Sequence, residues 1–214
     1  MSSKRLLLVV MELMENGQLF DKIIPTYILP FTEQQVAKIM FQICSAVRDL
    51  HKMNIAHRDL RPENLLLSSN DDIKLTDFGF AKEVSLGLIT PAVSKNFSAQ
   101  YAAPELVGTE RYDKSCDIWS LGVIMYMLCC GYPPFYSTHG QQSSPGMEQR
   151  KIKGEYGFSE NEWSHVSEEA KYLIHCMLET IPEKRSTIDE IMKSSWISVC
   201  FYNILEFRSI LFIH

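Results

Sequence analysis

Residues 118–130, running from Ile118 through Trp119, Leu121, Val123 and Ile124 to Leu128, Cys129 and Cys130, contain no charged side chain. Thirteen residues are too few to cross a bilayer as a helix, which takes roughly 20 apolar residues, so this run is expected to be a helix buried inside the fold. A chain of 214 residues that is 46% hydrophobic and 22% charged has ample material to bury it in one sizeable domain. The formal charge of −5 and isoelectric point near 5.7 speak against a nucleic-acid footprint, which is normally basic, so no nucleic-acid partner is expected. The apolar stretch at residues 6–11 is cut by Glu12 below the length of a signal-peptide core. The apolar tail after Ile197 carries Asn203, Glu206 and Arg208, and no membrane association is expected. Cys44, Cys116, Cys129, Cys130, Cys176 and Cys200 show neither a CxxC pair nor metal-ligand spacing, which fits a reduced, intracellular protein.

Residues 5–13 are rich in Leu and Val and read as a short buried strand. Asn16-Gly17 is a turn signal, and Pro25 and Pro30 interrupt the segment beyond it. From the capping residue Thr32 to about Lys52, apolar side chains recur at helical spacing (Val36, Ile39, Met40, Ile43, Ala46, Val47, Leu50), giving a long amphipathic helix. Two brief apolar runs, Leu65–Leu67 and Ile73–Leu75, flank a Ser-Ser-Asn-Asp-Asp turn and read as a hairpin. Residues 80–103 lack periodicity and are too long for an idle connection, so a functional loop is expected there. Helical patterns occupy residues 113–130, 144–153, 167–178 and 187–193, and no internal repeat is present.

The chemistry is concentrated in His57-Arg58-Asp59-Leu60-Arg61-Pro62-Glu63-Asn64, then Asp77-Phe78-Gly79, then Ala103-Pro104-Glu105. Phosphoryl transfer needs a carboxylate to orient and deprotonate a hydroxyl, and oxygen ligands for magnesium on the nucleotide phosphates. Asp59 can serve as the first; Asn64, five residues on, and Asp77, across the hairpin, can serve together as the second. Gly79 lets the backbone turn sharply beside the metal.

These motifs, in this order and spacing, resemble the catalytic domain of eukaryotic protein kinases. Asp117-Ile118-Trp119-Ser120-Leu121-Gly122 looks like the start of the large buried helix of the kinase C-lobe, and Gly131-Tyr132-Pro133-Pro134-Phe135 closes it in the familiar way. Ile55-Ala56-His57-Arg58-Asp59, Thr76-Asp77-Phe78-Gly79-Phe80-Ala81-Lys82 and Tyr112-Asp113-Lys114-Ser115-Cys116-Asp117 are more particular. They are similar to the MAP kinase-activated protein kinases, serine/threonine kinases of the calmodulin-kinase group. The fold implied is protein-kinase-like (α+β): a mainly α-helical C-lobe, a small hairpin and the last strand of a truncated N-lobe. Residues 1–10 would be that remnant, 11–17 the hinge, 18–197 the C-lobe and 198–214 an apolar tail outside the resemblance.

The resemblance implies roles for individual residues. Asp59 would be the catalytic base, with Arg61 beside the transferred phosphate and Asn64 and Asp77 as magnesium ligands. Met11 would be the gatekeeper, Glu12 and Leu13 would offer hinge backbone groups to adenine, and Leu66 would floor the nucleotide pocket, with Glu63 also on the nucleotide side. His57 and Phe78 would stack behind it. Arg58 would grip a phosphorylated loop at Thr90, which precedes Pro91, and Arg185 would pair with Glu105. The implied cofactors are ATP and Mg2+, the implied partners an upstream MAP kinase and protein substrates carrying Ser or Thr, and the implied location the cytoplasm, with the nucleus as alternative.

Several positions depart from the pattern. Ten residues precede the presumed hinge, and the sequence contains no GxGxxG and no Val-Ala-Ile-Lys, so the small lobe is expected to be missing and the chain weakly active or inactive. Arg61 stands where serine/threonine kinases carry lysine, Gln18 where relatives carry glutamate, and Phe97-Ser98-Ala99-Gln100-Tyr101-Ala102 replaces the usual segment before the third motif. The alternative reading is a catalytically dead interaction module that binds a MAP kinase or its substrates.

Overall fold

The computed structural model describes residues 8–23, 31–84, 99–107, 113–137 and 144–198. Its centre is the helix that the uncharged run anticipates, α3, Ser115–Cys130. Every residue from Cys116 to Cys129 in it is buried. A helix without a polar face must be covered on all sides, and here α2 (Glu33–Lys52), α5 (Glu160–Trp163) and α6 (Glu168–Met177) supply the cover. Gly122 is where α3 is met most closely: a β-carbon there would lie 2.9 Å from both Leu178 and Met177. Trp119 stacks on Phe135 with ring centroids 5.5 Å apart, which seals the end of the chain's Gly-Tyr-Pro-Pro-Phe turn against the same helix.

The surrounding helices begin where their caps dictate. Thr32 and Gln35 form a reciprocal capping box at the start of α2, whose buried stripe is Val36, Ala37, Met40, Ile43, Cys44, Val47 and Leu50. Ile39 and Ala46, expected in that stripe, are only half-buried because they lie on its shoulders. Ser144 caps α4 (Pro145–Lys153), Ser167 caps α6, and Thr187 with Glu190 makes a second capping box for α7 (Ile188–Lys193). Glu33, in the first turn of α2, accepts hydrogen bonds from Ser167 and from the Trp196 indole and so ties three distant parts of the chain together. Those donors hold its carboxyl below the usual range against the opposing effect of burial.

The strands are short. β2 (Leu65–Leu67) and β3 (Ile73–Leu75) form the expected antiparallel hairpin with Leu65 opposite Leu75. A pairing the sequence does not advertise joins β1 (Ile55–Ala56) to β4 (Lys82–Glu83), and a one-turn-plus helix α1 (Leu19–Ile23) packs beside β2. The strand expected at residues 5–13 is not formed over residues 8–13. These residues pair with no strand among the described residues, and Val10 is 97% exposed. Apolar and β-branched side chains make a strand only where a neighbour supplies the ladder and a surface to cover one face. No described helix is long and apolar enough to cross a membrane, and the cysteines described, Cys44, Cys116, Cys129, Cys130 and Cys176, are free thiols.

Because α3 has no slack at Gly122, Gly122→Val is expected to lower unfolding free energy by about 1–3 kcal/mol through overpacking. Urea titration followed by tryptophan fluorescence measures it, and a variant as stable as the parent would contradict the packing described.

Candidate active site

One carboxylate fixes the loop that carries the first motif. Asp117, in the first turn of α3 and fully buried, accepts from the backbone N–H of His57 at 2.9 Å (Oδ2) and of Arg58 at 2.8 Å (Oδ1). Its Oδ2 also accepts from the His51 ring at 2.9 Å, at the end of α2. These bonds hold Arg58 in left-handed backbone, φ 68°, a conformation that costs about 1–3 kcal/mol outside glycine. Arg58 Nε donates back to the carbonyl of Phe80 at 2.5 Å, joining the first motif to the second.

His57 is buried and works through both ring nitrogens. Asp59 N–H donates to Nδ1 (3.3 Å), so the ring proton sits on Nε2 and is donated to the carbonyl of Thr76 (3.1 Å). Its ring meets Phe78 edge-on, with centroids 5.0 Å apart. On the other side of Phe78, Asp77 also has left-handed backbone, φ 61°, and its Oδ1 accepts from Gly79 N–H at 3.2 Å. A β-carbon at residue 79 would lie 3.1 Å from that oxygen, which is why glycine suits the turn.

The hairpin brings the remaining pieces together. Its register puts Leu65 opposite Leu75, and Thr76 N–H continues the pairing onto the Asn64 carbonyl at 2.9 Å, so Asn64 and Asp77 flank the same open end. Asn64 Nδ2 donates to the Asp59 carbonyl (2.9 Å) and to its carboxylate Oδ2 (3.0 Å). Burial raises the Asp59 carboxyl above its ordinary value; the Asn64 hydrogen bond and the charge of Arg61 oppose this, and the Asp77 carboxylate adds to it. Asn64 touches Asp59 directly, and Asp77 lies near enough for its charge to add to the shift of the Asp59 carboxyl.

The protein kinase domain family matches residues 1–197. The chain belongs to the protein kinase family. Within it, the chain is 52% identical over 200 residues to MAP kinase-activated protein kinase 2 of Drosophila melanogaster, covering 91% of this chain and 55% of the relative. It is 51% identical over 201 residues to the Homo sapiens protein of that name (92% and 49%). To MAP kinase-activated protein kinase 5 of Homo sapiens it is 42% identical over 219 residues (92% and 45%). It spans about half the length of these relatives. The protein-kinase-like fold, mostly helical with small antiparallel sheets, agrees with that membership.

In this kinase chain the third motif is anchored through Arg185. Its guanidinium makes a bidentate pair with Glu105 (2.7 and 3.0 Å), donates to the carbonyls of Ser115 (2.9 Å) and Glu179 (2.8 Å), and lies 5.2 Å from the Trp119 ring centroid. Arg61 and Glu63 meet each other: Arg61 Nη2 donates to Glu63 Oε1, and that bond, ahead of the opposing effect of burial, raises the guanidinium's affinity for its proton. Their ion pair stands near Asp59, whose carboxyl feels the Arg61 charge. Residues 16–18 pair with β2, with Leu67 N–H on the Gly17 carbonyl (2.9 Å), which sets the end of the expected hinge beside Leu66. Met11 and Leu13 are exposed, and Glu12 makes only a 3.7 Å surface ion pair with Lys74. Thr90 and Ser98 lie outside the described residues. Sequence reasoning missed Asp117 as the loop's anchor; the signal was an acid in the first turn of an otherwise uncharged helix, where only a buried donor set could keep it.

Asp117→Ala is expected to lower stability by roughly 3–5 kcal/mol, because it strands buried donors, as judged by urea unfolding. A carboxyl-carbon NMR titration should place the Asp59 midpoint above the ordinary 3.8. Asp77→Asn should lower it by removing a like charge, and Asn64→Ala should raise it by removing a donor. The effect on stability has a definite sign: burial penalises the charged Asp59 in the fold, and that penalty is relieved as pH falls through its raised midpoint.

Proposed function

We propose that this chain serves a serine/threonine protein kinase of the MAP kinase-activated type, transferring the γ-phosphoryl group of ATP to Ser or Thr hydroxyls of proteins under control of an upstream MAP kinase. The observation that carries the reading is the convergence of Asp59, Asn64 and Asp77 at the open end of the β2–β3 hairpin. Asp59 accepts the proton of the substrate hydroxyl and orients its oxygen. Asn64 spends its Nδ2 on Asp59 and Asp77 spends Oδ1 on Gly79, which leaves one side-chain oxygen on each for a cation.

That donor set suits magnesium. It is all oxygen, and among the described residues no cluster of three or more metal-ligating His, Cys, Asp or Glu side chains exists, so the ion would keep waters and phosphate oxygens in its shell. Mg2+ on ATP supplies charge neutralisation at the transferred phosphate; the residues named hold it and orient the acceptor. Met11, Glu12, Leu13 and Leu66 border the adenine end, with Arg61 and Glu63 at the phosphate side. Thr90, followed by Pro91, is the proposed site of modification by the upstream MAP kinase, with Arg58 as the cation that would receive it. The cytoplasm, or alternatively the nucleus, is the proposed place of action. The 214 residues hold no glycine-rich loop and no Val-Ala-Ile-Lys strand, and slow turnover is expected of them alone.

Mn2+ with ATP tests the site without relying on turnover. The paramagnetic ion should broaden the Asn64 side-chain amide signals, and Asp77→Ala should abolish the effect. Transfer of radiolabelled γ-phosphoryl to a serine peptide should be slow in the parent and lost in Asp59→Asn. Absence of broadening at Asn64, or label that persists in Asp59→Asn, would sink the assignment.

A further inference from the structure

A second concave site lies elsewhere in the fold, and none of Asp59, Asn64 and Asp77 lines it. It is a cavity of about 370 Å³ between the end of α2, the start of α3 and residues 182–189. That volume falls at the small end of the range for small-molecule pockets, which runs from roughly 300 to 1,000 Å³. Its apolar lining comes from Ile118 and Ile188, both buried, and from Pro182.

Several polar groups around the cavity are already committed. Arg185 is spent on Glu105 and two carbonyls, and the His51 ring on Asp117. Lys114 Nζ donates to the His51 carbonyl (2.9 Å) and to Asn54 Oδ1 (3.0 Å). Two groups are not committed. Arg48 Nε and Ser115 Oγ are both shielded from solvent, and neither has a hydrogen-bond partner among the described residues. A shielded donor left without an acceptor costs free energy, and a ligand that brings one recovers it.

The chemistry of that ligand follows from what surrounds the two donors. A guanidinium edge presents parallel N–H groups that match the two oxygens of a carboxylate. The side chains of Asp113, Glu183 and Asp189 line the same cavity, and like-charge repulsion from them disfavours anions carrying two or more charges, such as phosphate or a nucleotide. We propose that this cavity binds a small, singly charged carboxylic acid with an apolar body. Its carboxylate takes Arg48, with the Ser115 hydroxyl as the second free donor in the same cavity, and its body lies against Ile118, Pro182 and Ile188.

The probe is hydrocinnamate, with hydrocinnamyl alcohol as its uncharged counterpart and inorganic phosphate as the multiply charged anion. In nitrogen–proton correlation spectra of the whole chain, the Arg48 Nε–H signal is identified by its loss in Arg48→Lys. It should move downfield as hydrocinnamate is added, because a free donor gains an acceptor, and phosphate at the same concentration should leave it in place. The alcohol should bind about tenfold more weakly or worse, and Arg48→Met, which keeps the stem, should weaken hydrocinnamate binding by a similar factor. Without ligand, Arg48→Met should resist urea at least as well as the parent, since it removes a shielded donor that nothing in the chain satisfies. An Arg48 signal indifferent to hydrocinnamate overturns the proposal, and so does equal binding of the alcohol, which leaves an apolar hollow only. A larger response to phosphate overturns the carboxylate assignment. Loss of stability in Arg48→Met makes the guanidinium a structural group and overturns its role as a free donor.

Discussion

A single buried carboxylate, that of Asp117, decides whether the chain has a cleft at all. Left to local preference, the backbone after β1 would not place Arg58 in left-handed geometry. Two backbone N–H groups converging on Asp117 from His57 and Arg58, with the His51 ring completing its coordination, offset that strain. Charge-assisted bonds in a water-poor interior are the strongest available for such a task. The helix that carries Asp117 is held by apolar contact on every side, so the anchor is as rigid as the core.

From that anchor the remaining geometry is reached by short connections. The His57 ring couples the loop to the strand before Asp77, Arg58 couples it to Phe80, and Asn64 couples the end of the first motif to both Asp59 and the hairpin. Each link uses a backbone carbonyl or amide, so the positions of Asp59, Asn64 and Asp77 depend little on the flexibility of long side chains. The electrostatics agree: Asp59 is raised by burial and by Asp77, and restrained by Asn64 and Arg61. A carboxyl raised in this way is a stronger base than an exposed one, which suits the acceptance of a proton.

A second cation, Arg185, fixes the far side of the lobe. It gathers Glu105, Ser115 and Glu179 into one knot over Trp119, which joins the third motif to the start of α3. Lys151 plays a comparable part for the strip just before that motif. Two buried cations hold backbone carbonyls of loop segments, those of Glu179 and Ala102 among them, and this is how irregular segments can be rigid.

Pattern and spacing were enough for the parts of this protein governed by local chemistry. The uncharged run had to be buried, Thr32, Ser144, Ser167 and Thr187 had to start helices, the Ser-Ser-Asn-Asp-Asp turn had to reverse the chain, and the three motifs had to be those of a kinase. The capping hydroxyls and the turn act within a few residues of themselves, so their meaning survives without the fold. Contacts across long stretches of chain were not legible: Asp117 under His57, Lys151 under Ala102, and Glu33 beneath Trp196. An exposed acid or lysine and a buried one look alike in a sequence, because what distinguishes them is the set of carbonyls and amides that only the packed chain brings within about 3 Å. For the same reason residues 8–13, apolar enough to read as a strand, do not form one: a strand is made by its neighbours, and the letters of one segment cannot supply them.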